Sequence, residues 1–179
     1  MKIINISGKA QHGKDSTALI LKQKLEAKNK KVLIAHFADL VKYVSKQFFN
    51  WDGVKDEQGR TILQRIGTDI VRTQRPNYWV DFIKGILEMF QDEWDYVIIP
   101  DCRFENEIET FKQDGWDSIA VRVIRDDFKS SLTVEQLNHP SETALDDYKF
   151  DWYIYNSGGM KKLEYEADIF VEWLELGNG

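Results

Sequence analysis

One stretch near the start of the chain limits its fold more than any other: Gly8-Lys9-Ala10-Gln11-His12-Gly13-Lys14-Asp15-Ser16. A short apolar run, Ile3-Ile4-Asn5-Ile6, precedes it, and a helical pattern follows. Strand, glycine loop and helix in that order are the setting of a phosphate-binding loop. Gly8 and Gly13 let the backbone curl where a Cβ would obstruct it. The N–H groups of that curl, with the unpaired N–H groups that open the next helix, form a cradle for anionic oxygens. Lys14 adds a mobile positive charge for the outer phosphates. The usual loop has Ser or Thr directly after the lysine, to meet Mg²⁺. Here Asp15 stands there and the hydroxyl comes one residue later, at Ser16. A carboxylate and a phosphate repel unless a cation separates them. Asp15 is therefore expected to turn toward protein donors, leaving Ser16 to face the metal.

The remaining sequence reads as strands alternating with helices. Val32–Ala35, Tyr96–Asp101, Ile119–Ile124 and Trp152–Tyr155 are apolar runs too short for helices. Helical spacing appears from Lys14 to about Lys28, after Asp39 as far as Phe49, over Arg60–Thr73, over Trp79–Phe90, over Arg103–Gln113 and around Leu163–Leu174. Within Arg60–Thr73 the apolar stripe is Ile62, Leu63, Ile66 and Ile70. The fold class this predicts is three-layer α/β/α with a five-stranded parallel sheet. The chain, 1–179, reads as a single domain. A helical insertion occupies about 37–94 and a polar, irregular, lid-like segment about 126–151. Ligand is expected at the carboxyl ends of the strands. That edge gathers the Gly8–Ser16 loop, Asp39, Lys42, Asp101, Arg103 and Arg125. Cations beside a phosphate cradle point to phosphoryl transfer, which works mainly by positioning and charge stabilisation.

Composition removes other classes. A net charge of -6 gives no basic footprint for polymeric nucleic acid. Cys102 is the sole cysteine, which excludes an internal disulfide, and His12, His36 and His139 lie far apart, with no zinc pattern. The first apolar run is too short for a signal peptide, and no stretch approaches the ~20 apolar residues of a membrane span. The expected location is the cytoplasm.

Six pieces occur in a fixed order. They are Gly13-Lys14-Asp15-Ser16; Arg60-Thr61-Ile62-Leu63-Gln64-Arg65-Ile66-Gly67-Thr68-Asp69; Tyr78-Trp79-Val80; Pro100-Asp101-Cys102-Arg103; Arg122-Val123-Ile124-Arg125; and His139-Pro140-Ser141-Glu142. In that order and with those gaps, the chain resembles a phage-type deoxynucleoside monophosphate kinase, a P-loop enzyme related to adenylate kinase. The resemblance implies ATP-dependent phosphorylation of deoxynucleoside 5′-monophosphates to diphosphates, which supplies DNA precursors. It implies ATP as donor, with Mg²⁺ held through Ser16, and ATP phosphates on Gly8, Lys9, Ala10, Gln11, His12, Gly13, Lys14, Asp15 and Ser16. The acceptor nucleotide would meet Lys42, Arg60, Gly67, Thr68, Asp69, Trp79, Asp101, Arg103, Glu107 and Glu142. Lys14, Asp101, Arg103 and Arg125 would form the catalytic set. Periodicity alone makes Trp79 a core residue and Glu107 part of a solvated acidic face; the resemblance gives both a role. Arg65, Arg72 and Arg75 fall outside the pattern and read as surface or helper charges. The lid segment has no arginine, so charge stabilisation falls to Lys14, Arg103, Arg122 and Arg125. The partners implied are ATP and a deoxynucleoside monophosphate, without polymeric nucleic acid or membrane, and a homodimer is compatible with the pattern. Two alternatives stand beside this reading: another small-molecule P-loop kinase of the phosphomevalonate or dephospho-coenzyme-A type, and a non-catalytic nucleotide-binding module. Lys14 and Asp101, both present, weigh against the second.

Overall fold

A computed structural model describes residues 1–126 and 128–177; Asp127, within the expected lid, and the last two positions lie outside the described residues. Strands β1 (Lys2–Ser7), β2 (Val32–Ile34), β3 (Tyr96–Cys102), β4 (Ser118–Ile124) and β5 (Trp152–Tyr155) form one parallel sheet in the order β2-β3-β1-β4-β5. β1 is central and pairs with both β3 and β4, so Ile3, Ile4 and Ile6 are fully buried. From β1 the chain runs out to β2 on one side, and later to β4 and β5 on the other. That reversal opens a crevice at the carboxyl end of β1, where such sheets bind ligands.

Strand alternation divides the core into two layers. Ile4, Ile6, Ile98, Val121, Val123 and Ile154 pack under α1 (Lys14–Glu26) and α8 (Met160–Glu175). The expected stripes, Ala18, Leu21 and Leu25 on α1 and Leu163, Ala167, Phe170 and Leu174 on α8, are all buried there. Ile3, Val97, Ile99 and Ala120 point the other way, toward α2 (Ala38–Phe49), α4 (Tyr78–Met89) and α5 (Glu105–Gln113). Each such aliphatic side chain contributes roughly 1.5–3 kcal/mol by leaving water.

Three local departures from regularity shape the crevice. The first is in β3. Asn5 pairs with Ile99 but Ser7 pairs with Cys102, so one extra residue bulges from β3 around Pro100-Asp101. Proline has no ladder donor to lose, and a bulge re-aims the side chain beside it. The Asp101 carboxylate turns to the β2–α2 junction and accepts the Phe37 and Ala38 N–H groups, at 3.1 and 2.8 Å.

The second departure corrects the helix expected over Arg60–Thr73. The segment begins as α3 (Glu57–Gln64) and then widens to a π-helix over Arg65–Arg72. Within it the Gly67 carbonyl accepts the Trp79 indole N–H at 2.8 Å. Gly67 also lies close against α2, where an added Cβ would meet Val41 Cγ1 at 3.3 Å. The wider turn rotates the residues that follow. Val71 packs on the core in place of the expected Ile70, and Arg72 swings inward.

The third lies in the segment after β4. Its described part is not wholly irregular, because it holds two single-turn helices, α6 (Val134–Leu137) and α7 (Pro140–Thr143). Thr133 and Gln136 form a capping box, with bonds of 3.2 and 3.3 Å, and Pro140 opens α7. These turns fasten to the helical insertion. Gln136 donates to the Glu57 carbonyl at 3.1 Å, Gln64 donates to Ser141 at 3.5 Å, and His139 Nε2 meets Asp69 at 3.2 Å. The segment is thus a strap across the insertion. Among the described residues, no helix is long and apolar enough to cross a membrane.

Two helical glycines test the packing of the insertion. A Cβ on Gly59 would lie 1.9 Å from the Val54 carbonyl oxygen and 2.7 Å from the Trp51 indole nitrogen, whereas one on Gly85 would meet nothing within 4 Å. Gly59→Ala should cost about 1–3 kcal/mol or more through overpacking. Gly85→Ala should gain about 0.5–1 kcal/mol from lost chain entropy. Thermal denaturation of the two variants should move in opposite directions.

Candidate active site

β1 ends in Ser7 and the loop turns over Gly8 to Gly13 before α1 begins at Lys14. A Cβ on Gly8 would sit 2.6 Å from the Val123 carbonyl oxygen. At Gly13, where φ is +96°, it would sit 2.4 Å from the Asn156 side-chain nitrogen. Close backbone approach at Gly8 and the left-handed φ at Gly13 therefore call for glycine at both ends of the loop. The first N–H groups of α1 have no partner within the helix and carry its positive dipole end. Lys14 curls back so that its ammonium donates to the Gly8 and Lys9 carbonyls, at 2.8 and 3.0 Å. Burial, reinforced by the nearby Arg103 guanidinium, lowers its pKa to about 7.

Gln11, Gly13, Lys14, Asp15 and Ser16 line one pocket, closed on the far side by Arg125 and by Asn156, Gly159, Met160 and Leu163. The last four come from the turn after β5 and the start of α8, which no sequence motif marks. Asn156 fastens this wall to the loop by donating to the His12 carbonyl at 2.9 Å. The Arg125 guanidinium lies over the Phe128 ring, 4.4 Å from its centroid. Its backbone N–H donates to His12 Nδ1 at 3.2 Å, and burial holds the His12 imidazole below its usual pKa. Gly8, Lys9, Ala10 and His12 do not line this pocket; they hold the loop from behind.

Asp15 points away from the loop. Its carboxylate is 79% exposed and 3.7 Å from His36 Nε2, and His36 lies 3.6 Å from Asp39 on its other side. Asp15 and His36 shift one another, the carboxyl below its usual range and the imidazole above. Among the described residues no cluster of three or more His, Cys, Asp or Glu could hold a metal ion by itself. Mg²⁺ on a nucleotide needs little more than one protein oxygen, since phosphate oxygens and water fill its other positions. The Ser16 hydroxyl, at the mouth of the pocket, is a hard oxygen donor that fits this ion.

A second chamber opens on the other side of Arg103. α2 and the β2–α2 turn supply Phe37, Ala38 and Val41. The insertion supplies Lys55, Arg60, Leu63, Gln64, Gly67, Thr68, Arg72 and Trp79. Asp101, Arg103, Phe104 and Glu107 come from the end of β3 and the start of α5, and the strap closes over them with Leu132, Ser141 and Glu142. Burial raises the Asp101 carboxyl. Trp79 is both core and wall, 3% exposed with its indole N–H spent on Gly67. Lys42 and Asp69 do not line the chamber: Lys42 pairs with Asp39 at 2.7 Å and Asp69 with His139. Arg72, read from the sequence as a surface or helper charge, is instead inside, its side chain 10% exposed and paired with Glu107. Glu107 is not on a solvated face: Arg72 takes one of its oxygens, and the Arg103 and Phe104 N–H groups take the other at 2.5 and 3.0 Å. Burial pushes its carboxyl up to about 7, while Arg72 and the two N–H groups pull the other way. Arg122 is engaged too, by Ser7 and Asp146, both at 3.1 Å.

Glu142 joins the two sides. One oxygen accepts the Ala10 N–H of the phosphate loop at 3.0 Å, and the other meets the Arg103 guanidinium at 2.8 Å. Arg103 also donates to the Gly8 carbonyl at 3.3 Å. Lys9 clamps the same junction, reaching the Glu142 carbonyl at 2.7 Å and Asp146 at 2.5 Å.

A phosphate loop facing a second, aromatic-walled chamber defines a P-loop kinase fold, and solved structures agree. The chain superposes on shikimate kinase from Aquifex aeolicus with a TM-score of 0.53, at 15% identity over 98% of this chain and 99% of that one. Thymidylate kinase from Ehrlichia chaffeensis gives 0.52, at 13% identity over 97% and 98%. The Mycobacterium tuberculosis APS kinase CysC in complex with AMPPNP and APS gives 0.51, at 11% identity over 97% of each. In sequence, the family described as deoxynucleotide monophosphate kinase matches residues 39–166. The chain belongs to that family. It is 32% identical over 106 residues to the deoxynucleotide monophosphate kinase of Enterobacteria phage T4; the match spans 58% of this chain and 41% of the phage protein.

The buried lysine yields a pH signature. In the folded protein without nucleotide, Lys14 releases its proton near pH 7, whereas the unfolded chain keeps it to about pH 10.4. Between those limits the unfolded state binds more protons, so stability rises with pH. Lys14→Met should remove that part of the slope. Denaturant unfolding of both proteins from pH 7 to 10 measures it.

Proposed function

We propose that the protein transfers the γ-phosphoryl group of ATP to the 5′-phosphate of a deoxynucleoside monophosphate, giving a deoxynucleoside diphosphate and ADP. The observation that carries this reading is the place of Arg103, at the seam between the phosphate loop and the chamber walled by Trp79 and Phe104. Membership of the deoxynucleotide monophosphate kinase family supports it.

In this reading ATP lies in the Lys14 pocket, with its base beyond Arg125 against the Asn156–Met160 turn. The acceptor lies in the chamber, its planar base against Trp79 and Phe104 and its phosphate toward Arg60 and Arg103. An oxygen of the acceptor phosphate bonds to the γ-phosphorus as the bond to the β,γ-bridging oxygen breaks. The acceptor oxygen is already ionised near neutral pH, so no general base is needed. Lys14 and Arg103 face the charge that spreads over the transferred group, and this is where most of the acceleration arises. When Lys14 turns from the Gly8 and Lys9 carbonyls to the phosphates, the added negative charge restores its proton. Mg²⁺, which Ser16 would hold, would supply charge neutralisation on the donor phosphates. The strap of Leu132, Ser141 and Glu142 keeps water from the chamber, which favours transfer over hydrolysis. ATP and deoxynucleoside monophosphates are cytoplasmic metabolites, which supports a cytoplasmic location.

ADP formation from ATP with a panel of acceptors separates this reading from its alternatives. Deoxynucleoside monophosphates should be turned over; phosphomevalonate or dephospho-coenzyme A as the better acceptor, or no turnover at all, would contradict it. Arg103→Ala should lower acceptor kcat/KM by roughly 10²-fold, as loss of one transition-state donor does, with ATP affinity little changed. Arg103→Lys should recover only part, because lysine keeps the charge and loses the two-pronged geometry.

A further inference from the structure

We propose that Arg72 and Glu107 form a positioning pair that sets Arg103, so that Arg72 acts on the acceptor reaction through Arg103. The proposal rests on the function given above, through the role assigned to Arg103.

The pair lies beneath the seam between the two pockets. Its side chains are 10% and 4% exposed, so neither charge is solvated. The Arg72 guanidinium donates to Glu107, to the Pro76 carbonyl at 3.2 Å and to the Asn106 side-chain oxygen at 3.1 Å. Its plane covers the Phe104 ring, 4.1 Å from the centroid. An arginine committed on all these sides is a strut. Its load is the free oxygen of Glu107, which binds the N–H groups of Arg103 and Phe104, the first turn of backbone after β3. The π-helix is thereby tied to α5 through Asn106 and Glu107, and the Glu107 tie ends on the backbone of Arg103. The Arg103 side chain is held separately, by Glu142 and the Gly8 carbonyl. Two anchors, one on the backbone and one on the guanidinium, fix the direction of the fork.

Removing Arg72 leaves a buried carboxylate with no counter-charge, and such a group protonates or moves toward water. Either response loosens its grip on the Arg103 and Phe104 N–H groups. Displacement of a positioning group by about 1 Å can cost about 10²-fold in rate. The effect should fall on the acceptor side and on turnover, because the Lys14 loop has its own supports.

The test uses the full chain. Arg72→Met should lower acceptor kcat/KM by roughly 10- to 100-fold while ATP KM stays nearly constant. In an Arg103→Lys background the same change should cost little more, since two residues acting through one contact are not additive. Amide hydrogen exchange at Arg103 and Phe104 should quicken in Arg72→Met; that readout needs no acceptor and stands even if the assigned reaction fails. Arg72→Met/Glu107→Gln leaves no buried charge alone, and its amide oxygen still accepts the two N–H groups. It should recover stability and part of the acceptor kcat/KM, and it carries the same measurements if Arg72→Met does not fold. Unchanged exchange at Arg103 and Phe104, or a loss fully additive with Arg103→Lys, or equal losses for ATP and acceptor, would overturn the proposal.

Discussion

The Glu142 carboxylate, shared between the Ala10 N–H and the Arg103 guanidinium, is the interaction on which the arrangement of the cleft depends. A carboxylate 6% exposed is costly to bury, and it is tolerated because both oxygens meet strong donors. Those donors belong to opposite sides of the cleft. One is a backbone amide of the phosphate loop, and the other is the arginine that borders the acceptor chamber. Glu142 itself rides on a strap whose neighbours, Ser141 and His139, bind the insertion at Gln64 and Asp69. A single side chain thus sets the spacing between the loop, the end of β3 and the helices of the insertion. Chemistry that requires two phosphates in line depends on that spacing.

The electrostatics of the cleft follow from its burial. An acidic chain, with net charge -6, brings Lys14, Arg60, Arg103 and Arg125 to one sheet edge. Packed out of water, Lys14 and Arg103 repel one another enough to contribute to the low pKa of the lysine. Phosphate relieves that repulsion, so anion binding is favoured where cations have been desolvated together. Asp101 balances part of this charge, and its direction is set by the bulge at Pro100 and by the N–H groups of Phe37 and Ala38.

The sheet and its order of elements were legible because buried parallel strands leave short apolar runs and the covering helices leave stripes such as Ala18, Leu21 and Leu25. The phosphate loop was legible because Gly8 and Gly13 occupy places where a Cβ collides. Trp79 and Glu107 were raised by resemblance alone, since their apolar and acidic neighbours give periodicity no reason to single them out. What stayed hidden depends on winding or on distant contacts. The π-helical turn moves Arg72 into the chamber, where an α-helical reading leaves it outside. Lys42 and Asp69 lie on the right elements but pair with Asp39 and His139. Asn156, Gly159 and Met160 form a wall through a turn without a motif, although Asn156 is hydrogen-bonded to the loop at the His12 carbonyl. The capping box at Thr133 and Gln136 could have been read from the sequence as a helix start.

The central claim is a phosphate path running from the Lys14 loop, past Arg103, into the chamber beside Trp79. A crystal structure with a bisubstrate compound, adenosine joined through a pentaphosphate to a deoxynucleoside, tests it most directly. The account predicts adenosine between Arg125 and the Asn156–Met160 turn, phosphates in contact with both Lys14 and Arg103, and the deoxynucleoside against Trp79. A deoxynucleoside bound outside that chamber, or an Arg103 that stays on Glu142 and Gly8 and touches no phosphate, would contradict it.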